Sequence, residues 1–430
     1  MSSDDLRAVM GKWESDEELM PVRRFPEFQD AGAWSEKAGC ALFDQINDRD
    51  ANSNLPALAI TQEHGAIPRT MIEYHVSVTE KSAENYKVVR VGDFIISLRS
   101  FQGGIEYARY EGVCSPAYVI LRLRDSHVAD YFRHYFKTYR FLRILTRNIE
   151  GLRDGKMISY KQFSELMLPV PRAKEQQKIA ACLSSLDAVI AAEVDRQEAL
   201  RDHKRGLIRT LFPTLGQTTP SLRFPEFQGV REWQEKLLGE ICDVAQGFGF
   251  PDRMQGKSSG DYPFCKVSDI SRAVNENGGL VDKSTNYVDH ADLKLLRAKT
   301  IPVGATVFAK IGEALRLNRR AITGVACLID NNAVALKAKD DETASYFLFS
   351  LSQTIDMKNY CSGAIPSVNK STLESIVVKV PGLAEQTKIA ACLHSIDALI
   401  AAQRDKIDTL KAHKTGLMQQ LFPSPAEVSA

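Results

Sequence analysis

Residues 175–192 read "EQQKIAACLSSLDAVIAA", and residues 385–402 read "EQTKIAACLHSIDALIAA". Aligned without gaps over 175–213 and 385–423, at a constant shift of 210, the two stretches share 23 of 39 positions. Both close on "LFP", at Leu211–Pro213 and Leu421–Pro423. A gapless duplicate of this length constrains the fold more than any other feature of the chain.

Its spacing is that of a helix packed along another helix. Ile179, Leu183, Leu186, Ile190, Glu193, Gln197, Leu200, Lys204, Leu207 and Leu211 follow steps of 4 and 3 throughout. The second copy places Ile389, Leu393, Ile396, Ile400, Gln403, Ile407, Leu410, Lys414, Leu417 and Leu421 on the same steps. This is a heptad seam. Its polar members, Glu193, Gln197, Lys204, Gln403 and Lys414, weaken packing but fix register. Proline precedes each copy in "VPRAKEQ" and "VPGLAEQ" and follows each in "LFP", so both ends carry stop signals. About 37 residues at ~1.5 Å each give a rod of roughly 55 Å. A single amphipathic rod of that length cannot bury its own stripe, whereas two in one chain can bury each other. The spacing therefore predicts an intramolecular two-helix coiled coil.

A shorter repeat precedes each helix. "RFPEFQDAGAW" (Arg24–Trp34) matches "RFPEFQGVREW" (Arg223–Trp233) at a shift of 199. The chain thus reads as two tandem halves, each a globular part followed by a long helix. The globular parts diverge but keep an outline. "VRVGDFIISLRSF" and "IPVGATVFAKIG" each predict a glycine turn, an alternating strand and a loop. "GVCSPAYVILRL" and "GVACLIDNNAVALKA" predict the next strands. "VADYFRHYFKTYRFLRIL" and "TASYFLFSLSQTIDM" predict a helix. A glycine-containing loop, a helix start at Ser159 or Asn369 and a short strand then lead into the proline. Each globular part is expected to be an α+β domain with a twisted sheet.

Formal net charge is only +1, so any nucleic-acid surface must be a local patch. Residues 137–161 hold Lys137, Arg140, Arg143, Arg147, Arg153, Lys156 and Lys161 against Glu150 and Asp154. Arg140, Arg143 and Arg147 share one helical face, with Tyr135, Phe136, Tyr139 and Phe141 beside them. The loop that follows the strand predicted within 89–101 adds Arg99 and Gln102. In the second half, "KIGEALRLNRR" supplies Lys310, Arg316, Asn318, Arg319 and Arg320, and the later loop supplies Asn369 and Lys370. Asparagine suits an adenine edge, and arginine suits guanine edges or phosphates.

No phosphate-binding GxxxxGK[ST] loop, GxGxxG turn, (D/N)PP(Y/F/W) tetrapeptide or HExxH pair is present. The eight cysteines form no CxxC pair, and no metal site is expected. Cys182 and Cys392 are repeat-equivalent and read as small buried residues at packing positions; His203 and His413 read as structural residues of the rod. The N-terminus "MSSDDLRAVMGKW" has no apolar signal core, and no apolar run suits a membrane span, so a cytoplasmic protein with no membrane partner is expected.

These features resemble the specificity subunit of type I DNA restriction-modification systems. The similarity covers nearly the whole chain and rests on the two "EQ.KIAACL.S.DA.IAA" helices, both "RFPEF" segments, "VGDFIISLRS"/"VGATVFAKIG" and "SGAIPSVNKSTL…VKVP". The first half departs from the last pattern, with "NIEGLRDGKMISYKQF" in its place. The resemblance implies an α+β fold of two tandem target recognition domains, with the helices as an antiparallel coiled coil under pseudo-two-fold symmetry. The expected layout is an N-terminal segment at 1–20, recognition domains at 21–172 and 221–382, spacer helices at 173–213 and 383–423, a linker at 214–220 and a tail at 424–430. It also implies a non-catalytic chain whose two domains read the halves of a split, asymmetric sequence in double-stranded DNA. Two methyltransferase subunits using S-adenosylmethionine would flank it, and motor-nuclease subunits using ATP and Mg2+ would join for restriction. A ~55 Å spacer matches roughly 16 base-pair steps at ~3.4 Å. Two other readings remain open: a coiled-coil scaffold for proteins, and a self-contained nuclease or methyltransferase.

Overall fold

The protein is described here by a computed structural model covering residues 19–49, 55–62, 64–71, 86–98, 100–124, 126–149, 158–214, 216–361 and 365–423; the side chains of residues 101 and 147–149 are not described. The chain divides into two compact units that do not coincide with the tandem halves. The first runs to Ala191 and resumes at Asp408; the second spans Ala192–Ile407. Each unit therefore holds a globular part, the beginning of its own long helix and the end of the other.

The helices run Ala173–Leu211 and Leu383–Leu421, 39 residues each, or about 58 Å at ~1.5 Å per residue. Within the first unit, Ile179 and Leu183 pack against Leu417, Met418, Leu421 and Phe422. Asp187 receives Lys414 across the pair. Within the second unit, Leu207, Ile208, Leu211 and Phe212 share a core with Ile389 and Leu393. Lys204 reaches Asp397 at 2.6 Å. In each unit early residues of one helix meet late residues of the other, so the pairing is antiparallel. The two Asp–Lys bridges use repeat-equivalent positions and lock the same register in both units. Seam residues Leu186, Ile190, Leu200 and Leu410 are half-buried, and Ile396, Ile400 and Ile407 are buried. The polar seam positions are satisfied rather than empty. Gln197 donates to the Ile400 carbonyl at 3.5 Å, and Gln403 donates to that of Glu193 at 2.9 Å. Cys182 and Cys392 are half-buried, not buried as expected, and His203 and His413 are exposed. The small thiol sits at the flank of the seam rather than under it.

The helix roots explain the shorter repeat. Residues Ser35–Ala38 pair antiparallel with Met167–Val170, and Gln234–Leu237 pair with Val377–Val380. Each ribbon runs through a proline into its long helix. Arg24 grips Glu175 with two bonds of 2.7 Å, and Trp34 Nε1 donates to the same carboxylate at 3.2 Å. Arg223 grips Glu385 at 2.8 and 2.7 Å, with Trp233 Nε1 at 3.3 Å. Both glutamates lie in the first helical turn, where a negative charge also suits the helix dipole. The neighbouring glutamine tethers the globular part. Gln176 accepts from Val128 N–H and donates to the Pro171 carbonyl; Gln386 does the same with Ala344 and Pro381. Lys178 pairs with Glu27 and Lys388 with Glu226. The repeated Arg, Trp, Glu, Gln and Lys thus form one clamp built twice.

The first unit carries an antiparallel sheet in the order Phe43–Ile46, Val119–Leu123, Phe94–Ile96, Glu106–Tyr107. The second carries Cys242–Gln246, Ala333–Ala338, Thr306–Ala309, Ala321–Thr323 and Leu280–Val281, with only the last pair parallel. The central strands were expected to alternate between core and solvent. Instead Phe94–Ile96 and Thr306–Ala309 are buried throughout. The reason is a second core on the other face. Phe94 and Ile96 face the cluster that includes the helix root, while Ile95 faces a smaller one around Leu58, Val89 and Ile120. In the second unit Phe308 faces the root cluster, and Val307 joins Cys265, Ile270 and Val281. The turns before these strands use Gly92 and Gly304 at positive φ of 98° and 80°, as a glycine permits. The helix expected at 128–145 is two, Ala129–Tyr135 and Tyr139–Ile149. Thr138 ends one and starts the other: its hydroxyl donates to Tyr135 O at 2.7 Å and accepts from Phe141 N–H at 3.3 Å. Ser159 and Asn369 cap the short helices Tyr160–Ser164 and Lys370–Glu374.

Candidate functional site

In the second unit two separately predicted segments share one edge. The strand Thr306–Ala309 delivers Lys310, whose N–H donates to Asn332 O at 2.8 Å and whose carbonyl accepts from Val368 N–H at 3.0 Å. Gly312, at φ 78°, donates to Pro366 O at 2.8 Å, and Ile311 bridges Ser367. The basic loop 310–319 is thereby laced to the segment leading into Asn369. Arg316, Ile365, Asn369 and Lys370 are exposed there, and Lys310 and Arg319 are half-buried. Arg316 meets Glu313, and Lys370 meets Glu374, each at 3.5 Å. Such exposed pairs are worth little and give way readily to a phosphate. The Asn369 Oδ1 is occupied as a cap by Thr372 N–H at 2.8 Å and the Ser371 hydroxyl at 2.7 Å.

Two residues expected to read bases in this loop instead build it. Arg320 is 5% exposed, and its guanidinium lies 4.1 Å from the centroid of Phe308. It donates to Asn318 Oδ1 at 3.0 Å and the Ile355 carbonyl at 3.4 Å. Burial pushes its pKa down to about 9, which leaves it charged at neutral pH. Asn318 sits at φ 52°, a conformation asparagine tolerates. Its Oδ1 also accepts from Met357 N–H at 3.1 Å. Both side chains are spent inside the protein.

In the first unit, Gln102 is exposed on the helix Ser100–Gly103, and Arg143 is exposed on Tyr139–Ile149. Lys137 links the region to the sheet, donating to Gly103 O at 2.8 Å and Glu106 at 2.6 Å. Burial pushes Lys137 down and Glu106 up, each against the pull of its partner. Lys137 is therefore a structural member of the basic run. Arg140 is likewise drawn inward: its side chain is largely buried and meets Glu36 at 3.4 Å. Tyr135, Phe136 and Phe141 are core. Tyr139 is not; it is exposed, with the Arg143 guanidinium 5.7 Å from its ring. This cation–π pair presents an aromatic face and a cation together at the surface. The four aromatics beside the arginines are alike in sequence, and only the position of Tyr139 after Thr138, at the start of the second helix, separates it. The Arg147 backbone is helical, but its side chain, and all of Arg99, Arg153 and Lys156, lie outside the described residues.

Among the described residues no group of three or more His, Cys, Asp or Glu is placed to hold a metal ion. A cavity of about 380 Å³ opens beside the first clamp, lined by Lys37, His127, Arg172 and Gln176 among others. Burial, and then Lys37, hold the His127 pKa below the ordinary range. Among the described residues its lining contains no carboxylate to act with the imidazole. Among the described residues no helix is long and apolar enough to cross a membrane.

Comparison with known proteins bears on the same features. The family described as the type I restriction modification DNA specificity domain matches residues 43–201 and 230–412. The type I restriction enzyme MjaVIII specificity subunit of Methanocaldococcus jannaschii is 22% identical over 401 residues, covering 87% of this chain and 89% of the relative. The MjaIX specificity subunit of the same organism is 21% identical over 354 residues, covering 80% of each chain. Among solved structures, the S subunit of a type I restriction-modification system from M. genitalium superposes with a TM-score of 0.55 at 14% identity, over 95% of this chain and all of that one. A chain from a study of complex assembly and conformational transition of the type I system gives 0.56 at 17% identity, over 91% of this chain and 98% of that chain. With the domain matched once in each half and most of its length covered, this chain belongs to the type I restriction-modification DNA specificity family.

Proposed function

We propose that this chain is the non-catalytic, sequence-reading subunit of a type I restriction-modification complex, each globular part reading one half of a split target in double-stranded DNA. The observation that carries the reading is the contrast between frame and edges. The clamp is built twice with the same residues and the helix seam with the same Asp–Lys bridges, while the exposed edges, among the described residues, differ. The first offers Tyr139, Arg143 and Gln102; the second offers Lys310, Arg316, Arg319 and Lys370. A common frame with different edges suits one architecture that presents two different sequence readers. The expected contacts of Arg99, Arg147, Arg153 and Lys156 join the first set, and Asn369 the second, with its amide held in place by its capping role. Arg140, Asn318 and Arg320 support these edges from within.

In this reading the paired helices set the unread gap, and their outward faces dock two methyltransferase subunits that carry S-adenosylmethionine. ATP and Mg2+ act on motor-nuclease subunits. The protein-scaffold alternative predicts no salt-dependent DNA affinity. Phosphate contacts release counterions, so sequence-specific binding through several basic residues must fall steeply with salt. The test is binding of the chain with its methyltransferase partner to a pool of random DNA duplexes, at low and high salt. Enrichment of a two-part sequence, with affinity falling as salt rises, supports the proposal; no sequence preference refutes it.

A further inference from the structure

The second unit attaches its globular part to the helix at two separated places. The first is the root, where Ile389, Ala390 and Leu393 join the core and Asp397 receives Lys204 and the Tyr346 hydroxyl. The second is Arg404, seven residues beyond Asp397, which is ~10 Å further along at ~1.5 Å per residue. Arg404 Nη1 donates to the Glu276 carbonyl at 2.9 Å and to Asn277 Oδ1 at 3.0 Å.

Those acceptors are the end of the helix Val267–Glu276 and its cap. Carbonyls in the last turn of a helix lack intrahelical partners and carry partial negative charge, which a guanidinium matches. The acceptor is held firmly. Asn277 N–H donates to Ala273 O at 2.9 Å, and its amide donates to Leu280 O at 2.7 Å. Ile270 and Ala273 of the same helix are buried against the sheet core. Asp405 pairs with Arg404 from the other side at 3.0 Å and orients it.

The root is a broad packed core, and a second attachment ~10 Å beyond it lengthens the lever against rocking of the globular part on the helix. The repeat-equivalent residue on the first helix is Val194, an exposed side chain with no donor. The strut is thus a feature of the second half, at a position the helix repeat does not keep.

We infer that Arg404 is a positioning residue: by tying the helix Val267–Glu276 to the spacer it fixes the tilt of the second recognition domain, and so narrows the range of gap lengths the protein accepts. The inference rests on the function proposed above. The test uses the complex of the full chain with its methyltransferase partners. The substrate is a plasmid pool carrying the two half-sites of the wild-type protein, identified from modified DNA, separated by the native gap or by one base pair fewer or more. Wild type prefers the native gap. Arg404→Ala loses about tenfold of that preference, equivalent to about 1.4 kcal/mol, while the bases preferred within each half-site stay the same. Arg404→Lys restores part of it, because an ammonium still reaches the Glu276 carbonyl. An Arg404→Ala complex with wild-type gap preference overturns the inference, as does an altered half-site with the gap preference intact. Should Arg404→Ala fail to assemble, Asn277→Ala removes an acceptor from the other side and is read the same way. A wild-type complex without any two-part preference overturns the proposed function instead.

Discussion

Replacing Glu175 with alanine removes the acceptor on which the first clamp converges. The Arg24 side chain is 6% exposed and that of Glu175 1%, so the pair is shielded from water. After the substitution two of the guanidinium bonds and the Trp34 indole bond have no partner, while Arg24 Nη1 keeps the Gly32 carbonyl at 2.7 Å and the Met20 Sδ at 3.6 Å. Truncating one member of a buried ion pair costs about 3–5 kcal/mol. Against a typical stability of ~5–15 kcal/mol this is a large fraction. For a unit of this size it corresponds to a melting shift of roughly 10 °C. Glu175→Gln keeps the shape and one acceptor and costs less, about 1–3 kcal/mol. The joint replacement Arg24→Met with Glu175→Leu leaves no charge uncompensated, only the Trp34 indole N–H and the Gly32 carbonyl without that partner, and costs less than Glu175→Ala, about 1–3 kcal/mol. The assay is calorimetric and urea unfolding of the full chain, with circular dichroism, for Glu175→Ala, Glu175→Gln, the singles Arg24→Met and Glu175→Leu, and their pair. Glu385→Ala gives the same loss in the transition of the second unit. A cost for Glu175→Ala below about 1 kcal/mol, or strict additivity of the paired replacement, refutes the clamp.

Other expectations follow from the same geometry. His134 is buried in the first unit beside Arg133 and Lys414, and burial holds its pKa down to about 3. The unfolded chain therefore takes up that proton first, near pH 6.5, so this contribution to stability is complete above 6.5 and is lost as pH falls. Urea unfolding at pH 7 and 5.5 should differ by up to ~1.4 kcal/mol per pH unit, and His134→Gln should remove that component. Lys414→Met leaves Asp187 without its partner across the seam, and Lys204→Met does the same to Asp397. Each half-buried carboxylate then loses a charge-assisted bond, with a cost of about 1.5–3 kcal/mol in denaturant unfolding. Arg316→Ala or Arg143→Ala should leave stability within about 0.5 kcal/mol. Either should weaken DNA binding by the complex and lower its salt slope by about one. Inserting one heptad at equivalent places in both helices lengthens the spacer by ~10 Å, so the accepted gap should grow by about three base pairs with both half-sites unchanged.

The helices were legible because their signal is redundant. A 4–3 seam repeated without gaps leaves few alternatives, and its polar members, Lys204, Gln197, Gln403 and Lys414, mark where register is fixed. The clamp was half legible. Arg24, Trp34 and Glu175 recur as Arg223, Trp233 and Glu385, but at two different shifts, so nothing in the chain ties the arginine to the glutamate. The sheets were less legible. A strand covered on both faces, such as Thr306–Ala309, shows no alternation. The basic edges were least legible. Arg319 and Arg320 are adjacent, yet one is half-buried and the other is buried and packs on Phe308. Loop charge carries no periodicity that separates them. Tyr139 and Tyr135 differ in the same way, divided by the break that Thr138 makes.

The central claim is that two different readers sit on one doubled frame. Sequencing of modified bases in cells with and without this gene, in the presence of its methyltransferase partner, tests it most directly. The account predicts that the gene adds methylation at one two-part, asymmetric motif with a gap of fixed length. Methylation that is unchanged by the gene, or that falls on a single uninterrupted motif, contradicts it.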